Sequence, residues 1–204
     1  GGALFAGAEP LWMRYCAISP DGSKIAFAYK GDVYVVNSDG GMAQRLTTEE
    51  GFESSPVWSN DGKTIAFVSD RNGGRDIFVV PAAGGVAKRV TTHSARENVL
   101  AFSKDDKFIY YSALMQDPAS SVMFPGGWIT ELYRIPVNGG RPELVVAAPV
   151  AHLCFDKDGQ SFLYENQTGG ENEWRKHHVS SVARNSLYYN ATTGKHEQVT
   201  TNVG

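Results

Sequence analysis

SPDGSKIAFAYKGDVYVVNSDGG, from Ser19 to Gly41, holds a tight turn, two strand-like runs and a second turn. Asp and Gly let the chain reverse, because a short carboxylate bonds the amides that follow it and glycine adopts positive φ. The run KIAFAY from Lys24 and the run DVYVVN from Asp32 are apolar, β-branched and aromatic, which is strand composition. Gly40-Gly41 then turns the chain toward AQRLTT, whose polar residues suit an exposed edge strand.

Working outward, the same unit recurs. SPDG at Ser19–Gly22, SNDG at Ser59–Gly62, SKDD at Ser103–Asp106 and DKDG at Asp156–Gly159 are four copies of one turn. Their aspartates, Asp21, Asp61, Asp105 and Asp158, are spaced by 40, 44 and 53 residues, and four equivalents at one turn position read as structural. Each turn is preceded by a run (RYCAIS, SPVWS, NVLAFS, AHLCFD) and followed by two more (TIAFVS and DIFVVP, FIYYSA and ELYRIP, SFLYEN and SLYYNA). Outer segments AKRVTT, PELVVA and HEQVTT close the later units. Four strands in up-and-down order, repeated four times, predict an all-β chain of four-stranded antiparallel β-propeller blades. Phe27, Phe67, Tyr110 and Leu163 read as core between blades, and repeats of approximately 11–50, 51–94, 95–148 and 149–204 follow a leader over 1–10.

Composition narrows the function. The 204 residues carry 19 basic and 22 acidic side chains with no basic stripe, which argues against nucleic acid as a partner. No apolar run approaches the roughly 20 residues of a membrane-spanning helix. Cys16 and Cys154 are too few for a disulfide framework, and their state is open.

Three stretches carry a resemblance: Ser19 to Gly41 quoted above, SDRNGG at Ser69–Gly74, and the terminal LTT or VTT of the repeats. They resemble the repeats of TolB and of tricorn-type proteases. PLWMRYCAISPDG at Pro10–Gly22 and ENEWRKHHVSSVARNSLYYNATTGKHEQVT at Glu171–Thr200 resemble the N-terminal propeller of bacterial tricorn-like peptidases. The resemblance implies a parent polypeptide with its serine peptidase chemistry and a PDZ domain elsewhere, so this chain reads as non-catalytic. Such propellers have six or seven blades; four repeats predict part of a larger ring or one completed by self-association.

Binding is expected where loops lengthen between second and third strands. Met115 to Ile129 carries Trp128, and Gln167 to Asn185 carries Trp174, Arg175, His177 and His178; with Arg71 and Arg75 these are the expected contacts for peptide or protein. Neighbouring His177 and His178 point to opposite sides of an extended chain, a poor metal pair, so neither metal nor cofactor is expected. No GxSxG, HExxH or GxxxxGK[ST] segment occurs. The expected function is gating or binding of peptide substrates in a periplasmic or other extracytoplasmic setting. The alternatives are a TolB-like envelope scaffold and a metal-dependent propeller polysaccharide lyase.

Overall fold

The computed structural model describes residues 13–92, 96–114, 130–166 and 185–200. Among them are sixteen strands in four four-stranded antiparallel sheets and no helix, the β-propeller architecture. The first blade is β1 (Arg14–Ile18), β2 (Lys24–Tyr29), β3 (Asp32–Asn37) and β4 (Gln44–Arg45). The second is β5 (Glu53–Trp58), β6 (Thr64–Ser69), β7 (Asp76–Pro81) and β8 (Lys88–Arg89). The third is β9 (Glu97–Phe102), β10 (Phe108–Ala113), β11 (Glu131–Pro136) and β12 (Glu143–Val146). The fourth is β13 (Val150–Phe155), β14 (Phe162–Asn166), β15 (Ser186–Asn190) and β16 (Lys195–Gln198).

Within each sheet the strands pair in sequence order. The first strands meet between blades, β1 against β5, β5 against β9 and β9 against β13, so they lie nearest the axis. The last strands β4, β8 and β16 are exposed at the periphery.

Strand periodicity sends alternate side chains to opposite faces, and at three junctions the faces of successive blades meet. Ala26, Val33 and Val35 of the first blade pack on Trp58, Ile65 and Phe67 of the second. Ala66, Val68 and Ile77 of the second meet Phe102, Ile109 and Tyr111 of the third. Tyr110, Leu132 and Val146 of the third meet Phe162 and Tyr164 of the fourth. Burying each such side chain contributes roughly 1.5–3 kcal/mol, so a blade is stable through its neighbours more than by itself.

The expectation for Leu163 is corrected. Phe27, Phe67 and Tyr110 are buried, but Leu163 is 40% exposed. Register explains the difference: Phe162 pairs with Tyr189 and Tyr164 with Leu187, which turns Phe162 and Tyr164 toward the third blade and Leu163 away from it. Its counterpart in the third blade is Tyr110, which looks forward onto the fourth; the counterpart of Phe67 is Tyr111.

Candidate ligand-binding face

The two ends of the blades differ in chemistry. At one end lie the Ser-x-Asp turns. Ser19 Oγ donates to Asp21 Oδ1 at 2.6 Å, Ser59 to Asp61 at 2.7 Å and Ser103 to Asp105 at 2.7 Å. The same carboxylates accept the N–H of Ser23, Lys63 and Lys107. Asp158 is held by Ser161 Oγ at 2.6 Å and by the Gln160 N–H. These hydrogen bonds favour the charged form; the Ser19 hydroxyl and the Ser23 amide bring Asp21 down to about 2. The four carboxylates are thus occupied inside their own turns.

The turns also touch one another unequally. Asp106 Oδ1 accepts the Asn60 N–H and side-chain amide, each at 2.7 Å, and Oδ2 accepts the Asp61 N–H at 2.9 Å. Gly62 stands where the third blade has Asp106, and a cleft of about 180 Å³ opens between the first two turns, lined by Pro20, Asp21, Trp58 and Asn60.

At the opposite end lie the connections between second and third strands and the starts of the inner strands. The Glu53 N–H donates to the Gly31 carbonyl at 2.8 Å, and the Glu97 N–H to the Arg75 carbonyl at 3.3 Å, so the inner strands of the second and third blades begin against the preceding blade's connection. Arg71 sits at the first of these junctions with its side chain 8% exposed, ion-paired with Glu49 and Glu53, its guanidinium 4.5 Å from the Phe78 ring centre. Gly51 makes room for it: a Cβ there would lie 2.9 Å from Arg71 Cβ, and its φ of 148° disfavours any other residue. Arg75 is half-buried beside exposed Asn72 and Gly73. Arg71 and Arg75 therefore share one end of the array, with Arg71 fully engaged by carboxylates.

Trp128, Trp174, Arg175, His177 and His178 lie outside the described residues, as do residues 1–10. Their connections leave and rejoin the sheets at Leu114, Thr130, Asn166 and Asn185, all at the end that holds Arg71 and Arg75.

Two features here escape reading by composition. Glu53 and Glu97 are buried carboxylates, 0% and 1% exposed, at the first position of their inner strands. Each faces the threonine six residues before it, Thr47 or Thr91, whose Oγ1 accepts the N–H of Val33 at 2.9 Å or Ile77 at 2.8 Å. The paired spacing in TTEEGFE and TTHSARE was the available signal. Second, three inner strands carry a bulge at one point: Tyr15, Ser55 and His152 have φ of 55°, 53° and 52°, each next to a register shift. His152 is exposed, with Nε2 3.7 Å from Glu165. Among the described residues each inner strand pairs with a strand on one side only, so its axial edge offers backbone groups to an extended segment.

Cys16 and Cys154 are free and exposed, and among the described residues no three His, Cys, Asp or Glu side chains gather as a metal site. No described helix is long and apolar enough to cross a membrane.

Comparison with known proteins places the fold. The family model for the tricorn protease N-terminal β-propeller domain matches residues 10–204. The Tol-Pal system protein TolB of Desulfosudis oleivorans is 41% identical over 58 residues, 26% of this chain and 13% of that protein. Among solved structures, the tricorn protease superposes with a TM-score of 0.69 at 14% identity, covering 92% of this chain and 22% of its own. TolB from Acinetobacter baumannii gives 0.67 at 18% identity, covering 93% and 43%. The match thus spans about an eighth of the curated relative, and less than half of either solved chain.

Proposed function

The chain belongs to the family of tricorn protease N-terminal β-propeller domains, and from that premise we propose that it is a non-catalytic module that binds and gates extended peptide segments. One observation carries the reading: Arg71, Arg75 and the anchors of both long connections stand at a single end, beside the bulged starts of the inner strands. Loops on a rigid scaffold supply side-chain contacts, and free strand edges supply backbone pairing. Trp128, Trp174, Arg175, His177, His178 and Arg75 are the contacts in this reading, and Arg71 holds the platform that presents them.

The test is binding of fluorescent unstructured peptides to the chain and to single alanine variants of those six contacts. Affinity is expected to fall at least fivefold in several of them with the melting temperature unchanged. Unaltered affinity in all six sinks the assignment.

The match to a Tol-Pal system protein favours a second reading, a scaffold in the cell envelope that holds a protein partner. The likeness to TolB is what supports a periplasmic or other extracytoplasmic setting for the module. Recovery of one stoichiometric partner from envelope extract, with no binding of peptides, selects the scaffold.

Self-association belongs to the same proposal. Ile18 on the first blade is 65% exposed and Leu163 on the fourth 40%, and these two faces are of the kinds that pair at each of the three internal junctions. Light scattering is expected to give a dimer mass that Leu163→Glu reduces to that of the monomer; a monomeric parent chain excludes the pairing.

A further inference from the structure

Glu53 and Glu97 are equivalents by register, opposite Ser69 in β6 and Ala113 in β10 respectively. Both are buried against a threonine of the preceding blade. Their counter-charges differ. Glu53 meets Arg71, two residues beyond Ser69, and the residue at that offset beyond Ala113 is Met115, outside the described residues.

Among the described residues, the groups that face Glu97 from the second blade are the Thr91 hydroxyl, the Ile77 N–H, the Asp76 carboxylate and the Arg89 guanidinium. Arg89 is already paired with Asp76 at 2.9 Å, and Asp76 is itself buried. From its own blade Glu97 faces the Tyr111 hydroxyl, which lies beside the Tyr133 ring. Glu97 Oε1 and Tyr111 Oη are both buried, and among the described residues neither has a hydrogen-bond partner. An ionised carboxylate in that place has one oxygen bonded to Thr91 and the other stranded among apolar side chains and a second carboxylate, which is costly.

We propose that Glu97 is a proton-operated latch between the second and third blades: neutral, it closes the junction against Thr91, and ionised, it loosens that junction while the Arg71-clamped junction before it stays shut. The array then has one stiff joint and one that responds to pH, at the end where the peptide-facing connections are anchored. Burial, the largest cause, pushes the Glu97 carboxyl up to about 7, with the Asp76 charge acting in the same sense, so the latch operates near neutrality.

Hydrogen exchange on the full chain at pH 6 and pH 8, corrected for intrinsic chemical rates, reads the two joints side by side. Ile77 and Glu97 amides report the latch; Val33 and Glu53 amides report the clamped equivalent. Titration between 4.5 when open and about 7 when closed predicts about tenfold more opening at pH 8 than at pH 6 for the first pair. The second pair is expected to change less, because the Thr47 hydroxyl and the Arg71 guanidinium offset part of the upward push that burial gives Glu53, and Glu97→Gln is expected to abolish the response of the first pair. An equal response at both joints, or one that survives in Glu97→Gln, overturns the proposal. Carbon-13 NMR of the Glu97 side chain in the unaltered protein gives an independent reading: a midpoint near 7 supports the latch, and one near 4.5 overturns it even if the variant fails to fold.

Discussion

Asp106 accepts the Asn60 backbone N–H at 2.7 Å, so a carboxylate at the last position of one turn holds the start of the turn in the blade before it. The other three turns have glycine there, Gly22, Gly62 and Gly159. Asp106 takes a φ of 56°, a conformation that Asp and Asn tolerate better than most residues. Replacement by glycine would relieve that strain while removing the clamp and would mix two effects. Asp106→Asn keeps the conformational tolerance and removes the charge and one accepting oxygen. For an exposed charge-assisted contact the expected loss is about 1 kcal/mol, or about 3 °C in melting temperature for a domain of this size, read by thermal denaturation. Asn60→Ala, which deletes the side-chain half of the same contact, is expected to lose a similar amount, and the double variant less than their sum.

Arg71 is expected to matter to stability more than any exposed arginine. Its removal leaves Glu53, 0% exposed, without its ion-pair partner, and uncovers the Phe78 ring. Arg71→Met should cost about 3 kcal/mol in urea denaturation, the range for breaking a buried pair from one side. Arg71→Lys should recover little, because a point charge cannot bridge Glu49 and Glu53 while lying flat on an aromatic ring. Pairing Arg71→Met with Glu53→Gln should restore most of the loss, since the stranded charge goes with its partner.

Stability should fall as pH rises through neutrality. Glu97 holds its proton more tightly folded, at about 7, than unfolded, at 4.5, so the folded state binds more protons between those values. Its penalty is absent below pH 4.5, grows as pH rises, and is complete above 7, at about 3 kcal/mol or less. Asp21 works in the opposite sense: its carboxyl is lowered from 3.8 to about 2, so its contribution is present above 3.8 and lost as pH falls toward 2. The melting temperature is therefore expected to be highest near pH 4 to 5 and lower at pH 8. Glu97→Gln should make the limb above pH 5 shallower, leaving the smaller part that burial of Glu53 contributes, and keep the acid limb intact; an unchanged slope in that variant would refute the assignment.

The blades were legible because their signals are local. An Ser-x-Asp turn carries its own hydrogen bonds, and a run such as TIAFVS reads as a strand without knowledge of its neighbours. Leu163 shows where local reading stops: the run SFLYEN is strand-like in either register, and only its pairing with β15 decides which face Leu163 takes. Arg71 shows the same limit in charge. A loop arginine next to Asn and two glycines reads as a surface contact, but its partners, Glu49 and Glu53, lie 22 and 18 residues earlier and meet it only once two blades have stacked. Thr47 and Glu53, and Thr91 and Glu97, repeat at one spacing, yet at the start of β13 Val150, opposite Asn166, stands at the glutamate's place, so the pattern ends after two copies.

The inner-strand bulges give a last prediction, about strain kept for a purpose. Tyr15, Ser55 and His152 sit at the same point of three inner strands with φ near 50°, which costs a non-glycine residue about 1–2 kcal/mol. Ser55 is the tractable one, half-buried and small. Ser55→Val puts a β-branched side chain into that conformation and should destabilise the chain by about 2 kcal/mol. Ser55→Gly removes the steric cost but adds backbone freedom to the unfolded chain, so the two effects nearly cancel and stability should shift by less than about 1 kcal/mol. Peptide affinity separates fold from function here. If the bulge presents the β5 edge to an extended ligand, Ser55→Gly should keep its stability and still bind less tightly, because the edge is no longer held in its bound shape before the ligand arrives. Equal affinity in Ser55→Gly and the parent chain would leave the bulge a feature of blade geometry alone and move the binding site out to the connections.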